Sequence, residues 1–333
     1  MTILVTGGAG YIGSVVSQQL VDAGYDVVVY DDLSHGHRDA IPAEAEFVHA
    51  NLADANALDR VFARGIHAVM HFAGFIEAGE SMKVPEIFFR NNSANTLTLL
   101  EAMLRHRVKR MVFSSTAAVY GEPEQVPITE SHPLRPTNAY GESKLLVEQM
   151  LRWFNTAHNF GYCCLRYFNA AGATATRGEA HEPESHLIPL VLQVAMGKRR
   201  SISIFGTNYP TADGSCVRDY IHVSDLASAH LLALAALREG DSRIYNVGTG
   251  TGASVREVVQ AARKVTGHPI PAVEESRRAG DPAVLVASSD KLRKELEWKP
   301  QYPSLEQIVR SAWDWHSKGS AKYACPELSG CGQ

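Results

Sequence analysis

The feature that most constrains this chain is Gly7-Gly8-Ala9-Gly10-Tyr11-Ile12-Gly13, which directly follows the apolar run Ile3–Thr6. Gly8, Gly10 and Gly13 satisfy G-x-G-x-x-G, while Gly7, Gly10 and Gly13 satisfy G-x-x-G-x-x-G. Without Cβ atoms such a backbone can turn tightly and approach a pyrophosphate, and the helix it opens offers unpaired N–H groups and a partial positive charge. An ordinary strand-to-helix turn also uses glycine. Here the loop stands between a predicted strand and a predicted helix, which is the context the motif requires. The second apolar run ends at Tyr30-Asp31-Asp32. A carboxylate at Asp31 can accept hydrogen bonds from adenosine ribose hydroxyls and repel a 2′-phosphate, so NAD is favoured over NADP. Read blandly, Asp31 and Asp32 are turn residues, and His35 or Arg38 could pair with a 2′-phosphate.

The runs at Val27–Tyr30, Phe47–His49, Ala68–Phe72, Arg110–Ser114 and Cys163–Tyr167 are mostly continuous apolar stretches rather than alternating ones. That suits strands buried on both faces of a parallel sheet. Helical patterns near 11–23, 55–64, 86–106 and 141–158 separate them. The alternation predicts an α/β fold: a Rossmann-like doubly wound parallel sheet followed by a smaller α/β C-terminal domain. The expected division is 1–168 for the dinucleotide domain and 169–316 for the substrate domain, with parts near 217–250 packing back on the dinucleotide domain and 317–333 a frayed, flexible tail. In the second part, residues 172–186 read as a loop. Helices follow near 187–196, 225–238 and 304–316, with strands near 201–205 and 217–222. Ser254-Val-Arg-Glu257 is a capping box that starts a helix running to about 265.

Composition removes several function classes. The 333 residues carry a net charge of −4, which argues against nucleic acid as a partner. No apolar stretch reaches the ~18 residues needed to cross a bilayer, and the N-terminus lacks the basic start and cleavage site of a secretory signal. The five cysteines, Cys163, Cys164, Cys216, Cys325 and Cys331, fit neither a disulfide framework nor a zinc site, and no metal is expected. The reading is a reduced, cytoplasmic protein.

Tyr140-Gly-Glu-Ser-Lys144 opens the predicted helix at 141–158. The i, i+4 spacing puts phenol and ammonium on one helical face. A nearby Lys⁺ and a positive nicotinamide ring would lower the phenol pKa and make a general base. Tyr-x-x-x-Lys taken alone is common on surfaces; its position after a fourth strand–helix unit makes it specific. Upstream, Ser114, Ser115 and Thr116 end a predicted strand, the edge at which open α/β sheets bind ligands. Strand-end capping is the plain alternative for the two serines.

Together these segments resemble the extended short-chain dehydrogenase/reductase family in its UDP-hexose 4-epimerase branch, over residues 1–316. The motifs that carry the resemblance are GGAGYIG, HFAG with GES, SSTAAVYG, YGESK, LRYFNAAGA, VRDYIHVSDLA, YNVGTG and RRAGDPA. The resemblance implies reversible C4 epimerisation of UDP-glucose and UDP-galactose, a step of galactose metabolism, through a transient 4-keto sugar with tightly bound NAD. It assigns Tyr140 as base, Lys144 as the residue that positions the nicotinamide ribose, and Thr116 as the partner of O4. It carries cofactor contacts onto Gly7, Gly10, Tyr11, Ile12, Gly13, Asp31, Asp32, Leu33, Asn51, Leu52, Phe72, Ala73, Gly74, Asn91, Ser114, Tyr140, Lys144 and Phe168. It carries UDP-sugar contacts onto Thr116, Tyr140, Asn169, Leu187, Phe205, Arg218, Tyr220, Arg278, Asp281 and Leu285. It also implies a homodimer through helices near 86–106 and 141–158.

Arg218 and Arg278 suit a diphosphate, because a guanidinium fork matches phosphate oxygens. Alternatively each pairs with its neighbouring acid, Asp219 or Asp281. His222 and His71 read as core histidines. Four positions depart from the family's commonest pattern: Asn51 replaces an Asp, His186 an Asn, Ile76 a Lys, and Leu285 stands where Tyr or a small residue limits or admits N-acetylated sugars. UDP-N-acetylhexosamines and UDP-pentoses therefore remain alternative substrates. A 4,6-dehydratase would follow the Thr with Asp-Glu, whereas Thr116 is followed by Ala117-Ala118, which transfer no protons. A net reductase, or a non-catalytic NAD-binding protein on the same fold, completes the set of rivals.

Overall fold

The computed structural model describes residues 1–278, 281–318 and 323. The first half runs β1 (Thr2–Thr6), α1 (Tyr11–Asp22), β2 (Asp26–Asp31), β3 (Glu46–His49), α2 (Ala55–Phe62), β4 (Ala68–His71), α3 (Ala78–Ser81), α4 (Pro85–Phe88), α5 (Asn95–Arg105), β5 (Arg110–Thr116), α6 (Ala139–His158) and β6 (Gly161–Tyr167). Then follow β7 (Asn169–Ala171), α7 (Leu187–Ala195), β8 (Ile202–Phe205), β9 (Val217–Arg218), β10 (Tyr220–His222), α8 (Val223–Ala236) and β11 (Ser242–Val247). The chain continues through β12 (Ala253–Ser254), α9 (Val255–Thr266), β13 (Ala272–Glu275), β14 (Val284–Leu285), α10 (Asp290–Leu296) and α11 (Leu305–Ser317).

Seven strands form one sheet in the order β11-β6-β5-β4-β1-β2-β3, and every pairing in it is parallel. The order reverses between β1 and β4, so a crevice opens at their carboxyl ends. Both faces of the sheet are covered. On one, Ile3, Val5 and Val29 pack with Val15 and Leu20 of α1 and with Leu226 and Ala233 of α8. On the other, Leu4, Val69 and Phe113 pack with residues of α2, α5 and α6. A separate core joins α7, α9 and α11 through Val191, Val258 and Ile308. Ser254 and Glu257 make both hydrogen bonds of the predicted capping box at α9.

Three departures from the expected elements have physical causes. The predicted helix over 86–106 is interrupted at Phe89–Ala94 by a π-helical turn between α4 and α5. The predicted strand near 217–222 breaks at Asp219. Its carboxylate accepts from Thr249 N–H at 2.8 Å, Gly250 N–H at 3.0 Å and Ala287 N–H at 3.1 Å, and β9 and β10 part into different sheets on either side. The strand β11, absent from the expected elements, completes the main sheet beside β6. Of the expected tail, Tyr323 stacks on His37 and packs against Trp315; the remainder beyond Lys318, with Cys325 and Cys331, lies outside the described residues.

Candidate active site

A cavity of about 360 Å³ occupies the crevice where the sheet order reverses. Its floor is the glycine loop. Gly7 has φ +70°, and a Cβ there would lie 2.4 Å from Ala73 N; one on Gly13 would lie 2.1 Å from Gly7 O. Both positions therefore exclude a side chain on backbone grounds alone. Gly10 caps α1 without a side-chain hydrogen bond, and no acid occupies the first turn. The helix thus presents free N–H groups and unopposed positive potential to the cavity. Asp31 accepts from Ala9 N–H at 3.0 Å and Leu33 N–H at 2.8 Å, which ties β2 to the loop. Its oxygens keep lone pairs for hydroxyl donors. Burial raises its pKa, against the pull of those two N–H groups. This is a cradle shaped for a dinucleotide with an unphosphorylated ribose.

The opposite wall holds Thr116 and Tyr140. Asn138 caps α6 by accepting from Gly141 N–H at 2.8 Å, and Tyr140 is the second residue of that helix. Gly141 is required because a Cβ would lie 2.6 Å from Ala118 O, so the helix start is pressed onto the turn after Thr116. Lys144, one turn further, is 3% exposed. Its Nζ donates to Ser114 O at 3.2 Å and lies over the Phe113 ring. Ser114 Oγ meets Tyr167 OH at 2.6 Å, and Ser115 Oγ donates to the buried Glu148 at 2.6 Å.

The electrostatics correct one expectation. Burial pushes the Lys144 ammonium down to about 8. Tyr140 is pushed up, first by burial and then by Tyr167 and Glu77, against a hydrogen bond from Thr116. The Lys144 ammonium makes its hydrogen bond to the Ser114 carbonyl rather than to the phenol. Spacing on one helical face is not contact: the ammonium is held at the Ser114 carbonyl, while the phenol is desolvated. Burial therefore favours the neutral phenol, and a cationic ligand beside it would shift the balance toward tyrosinate.

Seventeen predicted positions line this one cavity: the loop residues Gly7, Gly10, Tyr11, Ile12 and Gly13, then Asp31, Asp32, Asn51, Leu52, Phe72, Ala73, Gly74, Asn91, Thr116, Tyr140, Phe168 and Asn169. Leu33, Ser114 and Lys144 do not line it. Leu33 sits at φ 58° as a turn residue serving Asp31, and the other two stand directly behind the wall. Leu187, Phe205, Arg218, Tyr220, Arg278, Asp281 and Leu285 are also outside its lining. Of these, Arg218 forms an ion pair with Asp281 rather than with its neighbour Asp219, Arg278 lies over the Phe205 ring at 3.9 Å, and Leu285 pairs with Arg218 across β14 and β9. They form a second group reached from the cavity through Asn169, which faces Tyr220 across β7 and β10, and Leu285 packs against the same buried cluster of Val119, Tyr120, Ile128 and Leu145 as the cavity residue Phe168.

Residues 3–248 match the model of the NAD dependent epimerase/dehydratase family. The chain belongs to that family. It is 53% identical over 328 residues to the UDP-glucose 4-epimerase of Halalkalibacterium halodurans, covering 97% of this chain and 98% of that one. It is 54% identical to the enzyme of that name from Streptomyces lividans, covering 96% and 97%. The crystal structure of UDP-glucose 4-epimerase from Bifidobacterium longum in complex with NAD+ and UDP superposes with a TM-score of 0.92 at 38% identity, covering 97% of this chain and all of that one.

Within this family member, several supports of the site escape sequence reasoning. Asn92, in the π-helical turn, accepts from Phe75 N–H at 2.8 Å and donates to Phe75 O and to Ser143 Oγ, both at 3.0 Å. Ser81 Oγ accepts from Tyr140 N–H at 3.0 Å. The irregular turn thus ties the Gly74–Phe75 loop to the helix that carries Tyr140. The GES motif contained Ser81, but no local pattern links it to a residue 59 positions on. Asn51 spends its amide on Asp32 at 2.6 Å and its oxygen on Ala53 N–H at 2.9 Å. His71 bridges Thr6 and Thr96 within the core at 2.6 and 2.8 Å, and burial lowers its pKa to about 3. His222 stacks on Tyr302 and meets Ser311 Oγ. His186 reaches the cavity wall at the start of α7.

Proposed function

We propose that this chain interconverts UDP-glucose and UDP-galactose at C4, with NAD as a resident cofactor and Thr116, Tyr140 and Lys144 as its catalytic residues. One observation carries the assignment of roles: the glycine cradle, Asp31, Thr116 and Tyr140 all face one cavity. Bound NAD⁺ supplies a hydride acceptor that returns what it takes, together with a positive charge that favours tyrosinate. The glycine loop and α1 hold the pyrophosphate, and Asp31 takes the adenosine ribose. Lys144, kept desolvated behind the wall, aligns the nicotinamide ribose. Tyr140 removes the proton of the C4 hydroxyl and gives it back. Thr116, on the same cavity lining as Tyr140, orients O4.

The UDP half is assigned to Asn169, Leu187, Phe205, Arg218, Tyr220, Arg278 and Asp281. Arg218 is then shared between Asp281 and a phosphate oxygen. Ala117 and Ala118 offer no acid or base, which speaks against dehydration. Leu285, packed against the same buried cluster as Phe168, is assigned to the sugar end, where it tunes tolerance of N-acetyl groups.

The test is incubation of the purified protein with UDP-galactose without added NAD. UDP-glucose should form with no net NADH, and acid should release bound NAD. Tyr140→Phe should lower kcat by about 10²–10⁴-fold while NAD stays bound. No conversion by NAD-loaded protein, or a fully active phenylalanine variant, refutes the reading.

A homodimer through α5 and α6 belongs to the same proposal, supported by the exposed apolar Leu97 and Trp153 on those helices. No helix among the described residues is long and apolar enough to cross a membrane. The free buried thiols Cys163, Cys164 and Cys216 support a reducing, cytoplasmic setting.

A further inference from the structure

The segment ahead of α7 turns Glu179, His181 and His186 toward one another. One ligand atom from each lies within 4.8 Å of the other two. All three line the cavity wall, yet the epimerase chemistry derived above uses none of them. Glu179 is 6% exposed and forms an ion pair with His181 Nδ1. Its main chain is fixed, since Glu179 O accepts from Trp315 Nε1 at 3.1 Å. His186 is held as well: Glu184 Oε1 meets its Nδ1 at 2.8 Å and accepts from its backbone N–H at 2.7 Å. The same Nδ1 lies 3.8 Å from Glu179 Oε2, so a metal among the three takes a nitrogen that Glu184 now holds. His316 Nε2, in α11, is also buried without a hydrogen bond.

We propose that Glu179, His181 and His186 form a binding site for a divalent transition metal of the zinc class. Two imidazoles and a carboxylate are a donor set that suits Zn²⁺ and leaves a further position for water. A dication placed there neutralises the buried carboxylate and replaces the Glu179–His181 ion pair by two metal bonds. Ligand atoms in such a site stand about 3–3.5 Å apart, given bonds of about 2 Å, so only side-chain adjustment is required. The site is structural in role. Its segment is already pinned to the glycine loop side, with Tyr11 OH donating to Gly172 O at 2.6 Å and His37 Nε2 meeting Ala180 O at 3.1 Å. A metal would fasten that segment to α7 across the mouth of the cavity.

The experiment uses the NAD-loaded full chain at pH 7.5. The protein is stripped with a chelator, dialysed against micromolar Zn²⁺ and assayed by elemental analysis, with Co²⁺ substitution read by visible absorption. The expected result is about one equivalent of zinc and a rise in the thermal midpoint. The Co²⁺ form should show d–d bands without thiolate charge transfer. Glu179→Gln combined with His181→Gln should cut uptake at least fivefold, while bound NAD and the circular dichroism spectrum stay unchanged. The proposal is overturned if stripped wild type takes up no metal, or if the double variant takes up as much as wild type. Thiolate bands would overturn it too, since they place the ion at cysteine; that measurement needs only wild-type protein. None of these readouts depends on turnover, so failure here leaves the epimerase assignment intact.

Discussion

Lys144 is a buried cation maintained at the expense of stability, and Lys144→Met should reveal by how much. The side chain is 3% exposed, and burial alone lowers its pKa from 10.5 to about 8. At about 1.4 kcal/mol per pH unit, the ammonium costs the folded state about 3 kcal/mol. Methionine keeps the apolar stem and removes the charge. The Ser114 carbonyl loses its Nζ donor, which returns about 1 kcal/mol. The net gain at pH 7 is about 2 kcal/mol. For 333 residues that raises the thermal midpoint by about 3 °C. The sign with pH follows from linkage. Below pH 8 the lysine is protonated in both folded and unfolded chains, and the penalty is complete. Between about 8 and 10.5 the unfolded chain holds the proton and the folded chain does not, so wild-type stability rises with pH. By pH 9.5 the penalty falls to about 1.4 kcal/mol and the advantage of the variant nearly disappears. Other titrating groups are common to both proteins and cancel in the difference. The assay is denaturant or thermal unfolding of cofactor-free wild type and variant at pH 7 and 9.5. A variant no more stable than wild type at pH 7, or a difference that ignores pH, refutes the argument.

Three further outcomes are expected. Gly13→Ala forces a Cβ to within 2.1 Å of Gly7 O; it should abolish co-purification of NAD, read by acid release, and cost about 1–3 kcal/mol in unfolding. Glu148→Ala strands Arg166, which is 1% exposed and donates to both carboxylate oxygens at 2.9 and 2.5 Å. It should cost about 3–5 kcal/mol, whereas Glu148→Met with Arg166→Met should cost much less, as a calorimetric comparison will show. Asp31→Ser removes the charge that repels a 2′-phosphate, so the Kd ratio of NADP to NAD should fall at least ~10-fold by titration calorimetry.

The parts of the site that were legible beforehand are local in sequence. The glycine loop, Asp31 and Tyr140 each depend on neighbours within a few residues: a strand end, a turn, the first turn of a helix. Backbone sterics act over that range, so Gly7 and Gly13 could be placed from their spacing alone. Their clashes with Ala73 and Gly7 supply the reason for the pattern.

What only the tertiary structure decided depends on distance in the chain. Asp219 breaks the expected strand because its partners sit at Thr249, Gly250 and Ala287. The π-helical turn that aims Asn91 and Asn92 is settled by Phe75 and Ser143, not by helix propensity. The phenol–ammonium pair looked like a ready-made base on one helical face, yet burial raises Tyr140 and the Ser114 carbonyl holds Lys144. Spacing specifies which residues share a face. Desolvation and the competition of nearby groups specify which charges they carry, and those are properties of the packed interior.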